Sequence, residues 1–129
     1  MKKEIKARED VYTLVSTFYN KVRKNELLAP IFNKHVTDWP LHLDRLTDFW
    51  ETNLFFKNKF KGNPLHAHKL VDKAENYSIN EHHFGAWLNL WFEAIDELFE
   101  GEKATIAKNR ARNMGTFFHI GIFNTRPKE

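Results

Sequence analysis

Apolar residues recur at the spacing of one helix face through nearly the whole chain, and no segment of useful length alternates strictly between apolar and polar positions. The first amphipathic stripe consists of Val11, Leu14, Val15, Phe18, Tyr19 and Val22. The clearest stripe consists of Phe84, Trp87, Leu88, Trp91, Phe92, Ile95, Leu98 and Phe99. The pattern predicts an all-α protein without strands.

Two further helices are marked by residues that commonly begin a helix. Thr37 or Asp38 can cap the first of them, and Pro40 follows in the first turn, where a missing N–H breaks no hydrogen bond. The apolar stripe of this helix reads His42, Leu46, Phe49, Trp50, Asn53 and Leu54. Asn63 followed by Pro64 predicts the start of the second, a short helix.

The remaining segments are bounded by a proline, a capping pattern and a glycine. Leu27 to Phe32 is predicted to form a short irregular helix because it contains Pro30. Ser78 to Glu81 contains a capping-box pattern before the clearest stripe, and Gly101 is predicted to stop that helix. The last helix is predicted from about Glu102 to His119. Its inward residues are expected to be Ile106, Ala107, Ala111, Met114, Phe117 and Phe118.

The length and the absence of linkers predict one domain. The chain has 129 residues, without an internal repeat or a Pro/Gly/Ser-rich stretch, so residues 1–129 are expected to share a single core. Four main helices and the shorter pieces are expected to pack at globin-like or bundle-like angles.

Composition and charge exclude several classes of protein. The chain has no cysteine, which excludes disulfides, zinc–thiolate sites and iron–sulfur clusters. Its net charge is only +3, and the basic cluster Lys57 to Lys61 is short, so no nucleic-acid partner is expected. No apolar run approaches the roughly 20 residues of a membrane span, and the N-terminus lacks the pattern of a secretory signal. A cytoplasmic protein without a membrane partner is therefore expected.

Two histidines lie on separate predicted helices among abundant phenylalanine and tryptophan. His68 falls about one turn into its helix, and His66 points about 200° away from it, so only one of them can face the core. His42 lies on the apolar stripe of another helix. Two imidazoles in these surroundings indicate a flat aromatic cofactor that carries a metal, and haem is the candidate. Because the chain lacks C-x-x-C-H, any haem must be held non-covalently, by an axial ligand and by packing.

Three polar side-chain tips are expected to converge from three helices on one pocket in the aromatic core. They are the Tyr19 hydroxyl, the His42 imidazole and the Trp87 indole N–H. Each alone is more typical of a core aromatic residue whose polar tip is satisfied. Together they can hydrogen-bond a diatomic ligand that carries partial negative charge, which favours oxygen binding by a haem.

Two other classes of protein remain open. A non-haem metal protein could use the seven histidines, for example through Glu81, His82 and His83, although adjacent residues on a helix diverge by about 100° and do not easily share one ion. A cofactor-free helical interaction domain would use the same inward aromatic residues simply as core. The absorption spectrum distinguishes the three classes, because only haem gives an intense Soret band.

An ordered series of motifs covers the chain from about Val11 to Phe118. The motifs are Phe18-Tyr19-Asn20-Lys21-Val22-Arg23-Lys24, Pro30-Ile31-Phe32-Asn33, Trp39-x-x-His42, Phe49-Trp50, Gly62-x-Pro64-x-x-x-His68 and Trp87-Leu88. The series resembles the truncated haemoglobins, and within them the bacterial group III. That group lacks the glycine-pair motifs of the other two groups, and this chain contains no Gly-Gly.

The resemblance implies a truncated, two-over-two globin fold that binds haem b without a covalent bond. It implies that His68 is the proximal iron ligand. It also implies that Tyr19, His42 and Trp87 line the distal side of the haem.

Three further residues are assigned to the haem site by the resemblance alone. Phe32 resembles the phenylalanine that packs on the haem face. Leu46 resembles the apolar distal residue one turn beyond His42. Arg45 falls where related proteins often direct a basic side chain toward a haem propionate, which as an exposed ion pair is only a weak constraint.

The function implied by the resemblance is reversible binding of oxygen and of other diatomic ligands, including carbon monoxide and nitric oxide. Because Tyr19 and Trp87 can both donate hydrogen bonds, oxygen release is expected to be slow. Slow release suits chemistry on the ligand, such as nitric oxide oxidation or a peroxidase-like reaction in which His42 moves protons. Both reactions need an electron donor, so an unidentified reductase is an expected partner. Enzymatic activity stays open, and no catalytic residue is assigned.

Overall fold

The computed structural model describes residues 2–56, 64–75 and 77–125, and within these ranges the chain forms six α-helices. They are α1 (Arg8–Val22), α2 (Ala29–His35), α3 (Trp39–Phe55), α4 (Pro64–Ala74), α5 (Glu81–Leu98) and α6 (Glu102–Thr125). The same ranges contain no strand, only an isolated bridge between Lys3 and Phe99. The all-α prediction is confirmed. The predicted cap Asn63 and the basic cluster Lys57 to Lys61 lie outside the described residues.

The helices form two layers, one of α1 with α3 and the other of α5 with α6. The layers meet where α1 packs on α5 and where α3 packs on α6, and α4 packs on α6. The predicted stripe of α1 faces both partners, and all six of its residues are buried. None of the described helices has the length and apolar character needed to cross a membrane.

Aromatic rings join the two layers at the centre of the core. Trp50 of α3 stacks on Trp91 of α5 with ring centroids 4.5 Å apart. Phe18 of α1 meets the Trp91 ring edge to face at 5.1 Å. The Trp91 indole N–H donates a hydrogen bond of 3.2 Å to the carbonyl oxygen of Ala107 on α6. One buried tryptophan therefore contacts all three neighbouring helices with its polar atom satisfied.

Small residues decide which face of α6 packs inward. Ala104, Ala107, Ala111 and Gly115 follow one another at three- and four-residue spacing and are buried, which lets α5 approach closely. Phe117 lies about 200° around the helix from Gly115 and is 59% exposed, so its predicted inward position is wrong. The other predicted inward residues of α6 are at least partly buried. The helix also continues beyond the predicted end to Thr125.

Local hydrogen bonds move the start of two helices from the predicted positions. The Asn25 side-chain oxygen accepts from the backbone N–H groups of Leu27 and Leu28, each at 3.0 Å, so these residues form a turn and α2 begins after them. For α5, the cap is Asn80 rather than Ser78. The Asn80 oxygen accepts from the His82 N–H at 2.9 Å, which satisfies a donor in the first turn.

Asp38, and not Thr37, caps α3. Its Oδ1 atom accepts a 3.1 Å hydrogen bond from the backbone N–H of Leu41, with Pro40 in the first turn as predicted. The cap fixes where the helix that carries His42 begins. The sequence left both Thr37 and Asp38 open as the cap, and this hydrogen bond identifies Asp38.

Replacing Asp38 with alanine should lower the free energy of unfolding by about 1 kcal/mol, because one N–H in the first turn of α3 loses its acceptor. Urea unfolding followed by circular dichroism measures the change. Thr37→Ala is the matched control and should change the free energy by less than about 0.5 kcal/mol. Equal losses in both variants would contradict the assignment of the cap.

Candidate functional site

Two of the predicted site residues, Phe32 and His42, lie against a third, Tyr19. Tyr19, from the buried face of α1, is 6% exposed. Its ring lies 5.8 Å from the ring of Phe32 on α2 and 5.0 Å from that of His42 on α3, where the two planes meet at 81°. Trp39, from the first turn of α3, completes the group at 5.6 Å from Tyr19. We call Tyr19, Phe32, Trp39 and His42 the aromatic cluster.

His42 presents an unsatisfied nitrogen inside this cluster. Its Nε2 atom is buried and has no hydrogen-bond partner among the described residues. Burial, and secondly the positive charge of Arg45, lowers the pKa of the His42 imidazole, so the ring is neutral at neutral pH. Buried polar atoms almost always have a partner, so the partner of this nitrogen is expected to be a group other than the described residues, such as a ligand or a water molecule.

The hydroxyl of Tyr19 is held in its protonated form. Burial raises the pKa of this phenol above its usual range, because the ionised form would lose its hydration in the apolar interior. At any ordinary pH the Tyr19 O–H can therefore donate a hydrogen bond. The aromatic cluster thus combines a hydrogen-bond donor with a neutral imidazole.

Trp87 and Leu46 lie outside the aromatic cluster as the structure describes it. The half-buried Trp87 ring meets Phe18 edge to face at 5.8 Å, and Phe18 lies 4.8 Å from Tyr19. Leu46 is half-buried one turn beyond His42 and packs against the core. Arg45 is exposed on the same helix.

His68 lies on α4, against a different set of neighbours. Its Nδ1 atom donates a hydrogen bond to the carbonyl oxygen of Pro64 at 2.5 Å, one turn earlier. The ring stacks on Phe118 of α6 with centroids 4.7 Å apart and planes 20° apart. Burial lowers the pKa of His68, opposed in part by the Pro64 carbonyl, so the imidazole is neutral with Nε2 unprotonated. His66 is exposed, which confirms that only one of the two histidines faces inward.

The helices that carry His42 and His68 both pack on a third helix. Both α3 and α4 pack on α6, and across the described ranges they do not pack extensively on each other. In this part of the chain no ring contact joins His68 to the aromatic cluster. The two neutral imidazoles therefore belong to two separate walls, with α6 as the common support.

The sequence analysis did not predict the site contacts of two residues, Trp39 and Phe118. Trp39 contacts both Tyr19 and His42, the latter at 5.5 Å, yet it was assigned no role. Its position three residues before His42 places both on one helix face, which is the signal that could have found it. Phe118 was predicted to face inward, but its stacking on His68 depends on how α4 lies on α6, which no local pattern encodes.

Comparisons with known proteins agree with this geometry. No protein-family model matches the sequence. The chain is 28% identical over 127 residues to the group 3 truncated hemoglobin of Campylobacter jejuni. The aligned residues make up 95% of this chain and 96% of the relative. The crystal structure of the group III truncated hemoglobin from Campylobacter jejuni superposes with a TM-score of 0.85 at 26% identity, covering 99% of this chain and 100% of that one.

A second solved structure shares the fold at lower identity. The 2/2 hemoglobin from a Synechococcus species, described in the cyanomet state and with covalently attached heme, has a TM-score of 0.71 at 20% identity. The superposition covers 92% of this chain and 93% of the Synechococcus chain. The fold and the two histidine-bearing walls thus define a two-over-two globin. Among these globins, the sequence and the fold of the chain are similar to those of the group III truncated haemoglobins.

The neutral state of buried His42 should make folding stability depend on pH. Because the pKa of His42 is lower in the folded state than the usual value of about 6.5, the unfolded chain binds more protons as pH falls below about 7. Stability is therefore fully present above that pH and is lost as pH falls through the folded pKa. We expect the free energy of unfolding of His42→Leu, measured by urea titration at several pH values, to fall less steeply than that of the wild type.

The control for this pH dependence is His82→Leu. His82 is exposed at the start of α5, so this variant should keep the wild-type slope. Equal slopes in the wild type and in His42→Leu would show that burial does not hold His42 neutral.

Proposed function

We propose that this protein binds haem b non-covalently and, through it, reversibly binds oxygen and other diatomic ligands such as carbon monoxide and nitric oxide. The orientation of His68 carries the proposal. Its Nδ1 atom is committed to the Pro64 carbonyl, which leaves Nε2 as the nitrogen able to bind a metal. Metal-binding histidines commonly donate their other ring N–H to a backbone carbonyl in this way, because the bond fixes the tautomer and the ring orientation.

The surroundings of His68 fit a large planar cofactor. The ring is fixed from two sides, by the Pro64 carbonyl and by stacking on Phe118. We propose that α3 supplies the other side of the site, with the Nε2 of His42, which has no partner among the described residues, and the half-buried side chain of Leu46. When bound, haem supplies an iron atom with one coordination position for the protein and one for a diatomic ligand.

The aromatic cluster would form the distal side of such a site. A protonated Tyr19 and a neutral His42 bring no net charge, and both can engage a ligand that carries partial negative charge. Phe32 and Leu46 provide apolar surface that excludes water, and this strengthens each hydrogen bond. Trp87 is proposed as a further donor, and Arg45 as a contact for a haem propionate from the exposed side of α3.

The composition of this chain supports non-covalent binding. The relative from Synechococcus is described with covalently attached heme. The present chain has no cysteine for thioether attachment, so we propose that the ligand bond and apolar contacts together hold the haem.

The rival non-haem metal site gains no support from the described residues. Across residues 2–56, 64–75 and 77–125, no three His, Cys, Asp or Glu side chains converge in a geometry that could hold a metal ion. Glu81 and His82 are strongly exposed, and the Nε2 atom of His82 lies 4.0 Å from the Oε1 atom of Glu81. The absorption spectrum of the purified protein tests the proposal, because a colourless protein would rule out haem.

The assignment of the iron ligand is tested by changing each of the neighbouring histidines. His68→Ala should lose haem or hold it weakly, because the one inward imidazole of α4 is removed. His66→Ala should keep the Soret band and the haem content, since that side chain is exposed. Haem retention measured by absorption after gel filtration compares the two. The reverse order of losses would mean that the ligand is assigned to the wrong histidine.

The role of the distal donors is tested by substitutions that keep an aromatic ring. A hydrogen bond to a charged or strongly polarised acceptor contributes about 1.5–3 kcal/mol, so Tyr19→Phe should speed oxygen release by about one to two orders of magnitude. Trp87→Phe should act in the same direction. Stopped-flow measurement of oxygen and carbon monoxide release gives both rates.

Carbon monoxide serves as the internal control for these two variants. Its outer atom carries less negative charge than that of oxygen, so its release should change less. Equal acceleration of both gases would show that Tyr19 and Trp87 act by obstructing the pocket rather than by donating hydrogen bonds.

A further inference from the structure

A polar cavity of about 420 Å³ lies next to the aromatic cluster and opens to solvent. Three of its lining residues, Asn20, Arg23 and Lys24, come from the end of α1 and the residues after it. Asn33 of α2 and Trp39 of α3 complete it. The volume falls in the range of small-molecule binding sites, about 300–1,000 Å³.

Arg23 is held in place at this cavity by two contacts. Its guanidinium carbon lies 4.4 Å from the centroid of the Trp39 ring, and its Nε atom donates a 3.3 Å hydrogen bond to the Asn33 side-chain oxygen. These contacts use one face and one N–H of the guanidinium. No described residue binds the terminal N–H groups, and a guanidinium fixed in this way loses little freedom when it binds an anion.

Within the described part of the chain, no carboxylate neutralises the two positive charges of the cavity. Among the described residues, no carboxylate oxygen lies within 4.0 Å of the cationic groups of Arg23 or Lys24. Lys21, in the last turn of α1, is by contrast paired with Glu97 at 2.7 Å. The side-chain amides of Asn20 and Asn33 add hydrogen-bond donors beside the two charges.

We propose that this cavity is a binding site for a small anion that presents a carboxylate or a phosphate group. The anion is held by the terminal N–H groups of Arg23 and by the ammonium of Lys24, and the amide groups of Asn20 and Asn33 donate to its remaining oxygens. Arginine and lysine together favour an oxyanion, because charge-assisted hydrogen bonds to such groups are stronger than neutral ones.

Binding at this cavity is linked to the distal side of the proposed haem site through Trp39. The face of the indole carries Arg23, and the same ring contacts Tyr19 and His42 at 5.6 and 5.5 Å. An anion that fixes Arg23 also restrains Trp39, and through this ring the His42 side chain, beside which a diatomic ligand would enter the proposed haem site. This link rests on the proposed function, whereas binding of the anion does not.

The binding site is tested by titrating the purified protein with acetate and with inorganic phosphate, at an ionic strength kept constant with chloride. Nuclear magnetic resonance follows the Arg23 Nε–H and Trp39 indole N–H signals. We expect both signals to shift and saturate with at least one of the two anions, and the tighter one identifies the preferred group. Arg23→Gln should weaken this binding by about tenfold or more.

Arg112→Gln is the matched control, because Arg112 also stacks on an aromatic ring, that of Phe92 at 4.8 Å, but lies outside the cavity. It should leave the affinity unchanged. Lys24→Gln provides a second variant whose exposed side chain makes no contact needed for folding, and it should also weaken binding. Shifts that grow without saturation, or equal effects of Arg23→Gln and Arg112→Gln, would overturn the site.

The link to the distal side has its own measurement. In haem-loaded protein, a saturating concentration of the effective anion should slow carbon monoxide association in the wild type and leave it unchanged in Arg23→Gln. Anion binding without any change in this rate would overturn the link while leaving the anion site intact. Loss of haem binding altogether would instead count against the proposed function, since the titration above does not depend on haem.

Discussion

The structure depends on the burial of α1 between two helices at once. Val11 and Leu14 are fully buried, and Phe18 reaches the Trp91 ring in the other layer. Each buried side chain of this size stabilises the fold by about 1.5–3 kcal/mol relative to an exposed position. Because Tyr19 follows Phe18 directly, the same burial fixes where the phenol lies. The position of the candidate site is therefore a consequence of how the core forms.

A charged contact at the start of α1 holds the helix that carries the distal histidine. Arg8 binds Asp48 at 2.6 Å, Glu51 at 3.0 Å and Asp44 at 2.7 Å, all three on α3. These carboxylates raise the pKa of Arg8 above its usual value, Asp48 most strongly, so the cation is permanent. The exposed Asp44 contributes less than the buried Glu51, because water screens it. The network supports the α1–α3 layer and hence the position of His42.

The wall that carries His68 depends in turn on a close approach between α4 and α6. A Cβ atom at Gly121 would lie 2.7 Å from the Leu65 side chain, closer than real Cβ contacts, so the absence of a side chain allows α4 to settle there. Phe118, one turn earlier on α6, then reaches the His68 ring. Both walls of the site thus rest on α6, although neither the small residues of α6 nor Gly121 belongs to the site.

The sequence by itself determined the helices and which candidate site residues share a helix face. A period of about 3.6 residues is a local property, so it reveals which residues share a face, and the stripe of α1 was predicted completely. Helix geometry alone also shows that only one of His66 and His68 can face the core. The resemblance to truncated haemoglobins then assigned roles to residues whose own pattern left several functions open.

The tertiary structure decided what periodicity leaves undetermined, namely which face meets which partner. The sequence predicted that both Phe117 and Phe118 face inward. Because the small residues of α6 pack against α5, Phe117 lies on the exposed side of the helix. The role of Trp39 and its contact with Arg23 likewise arise only when α1, α2 and α3 come together. Such contacts depend on the shape of a partner helix that is distant in sequence, and no local pattern carries that information.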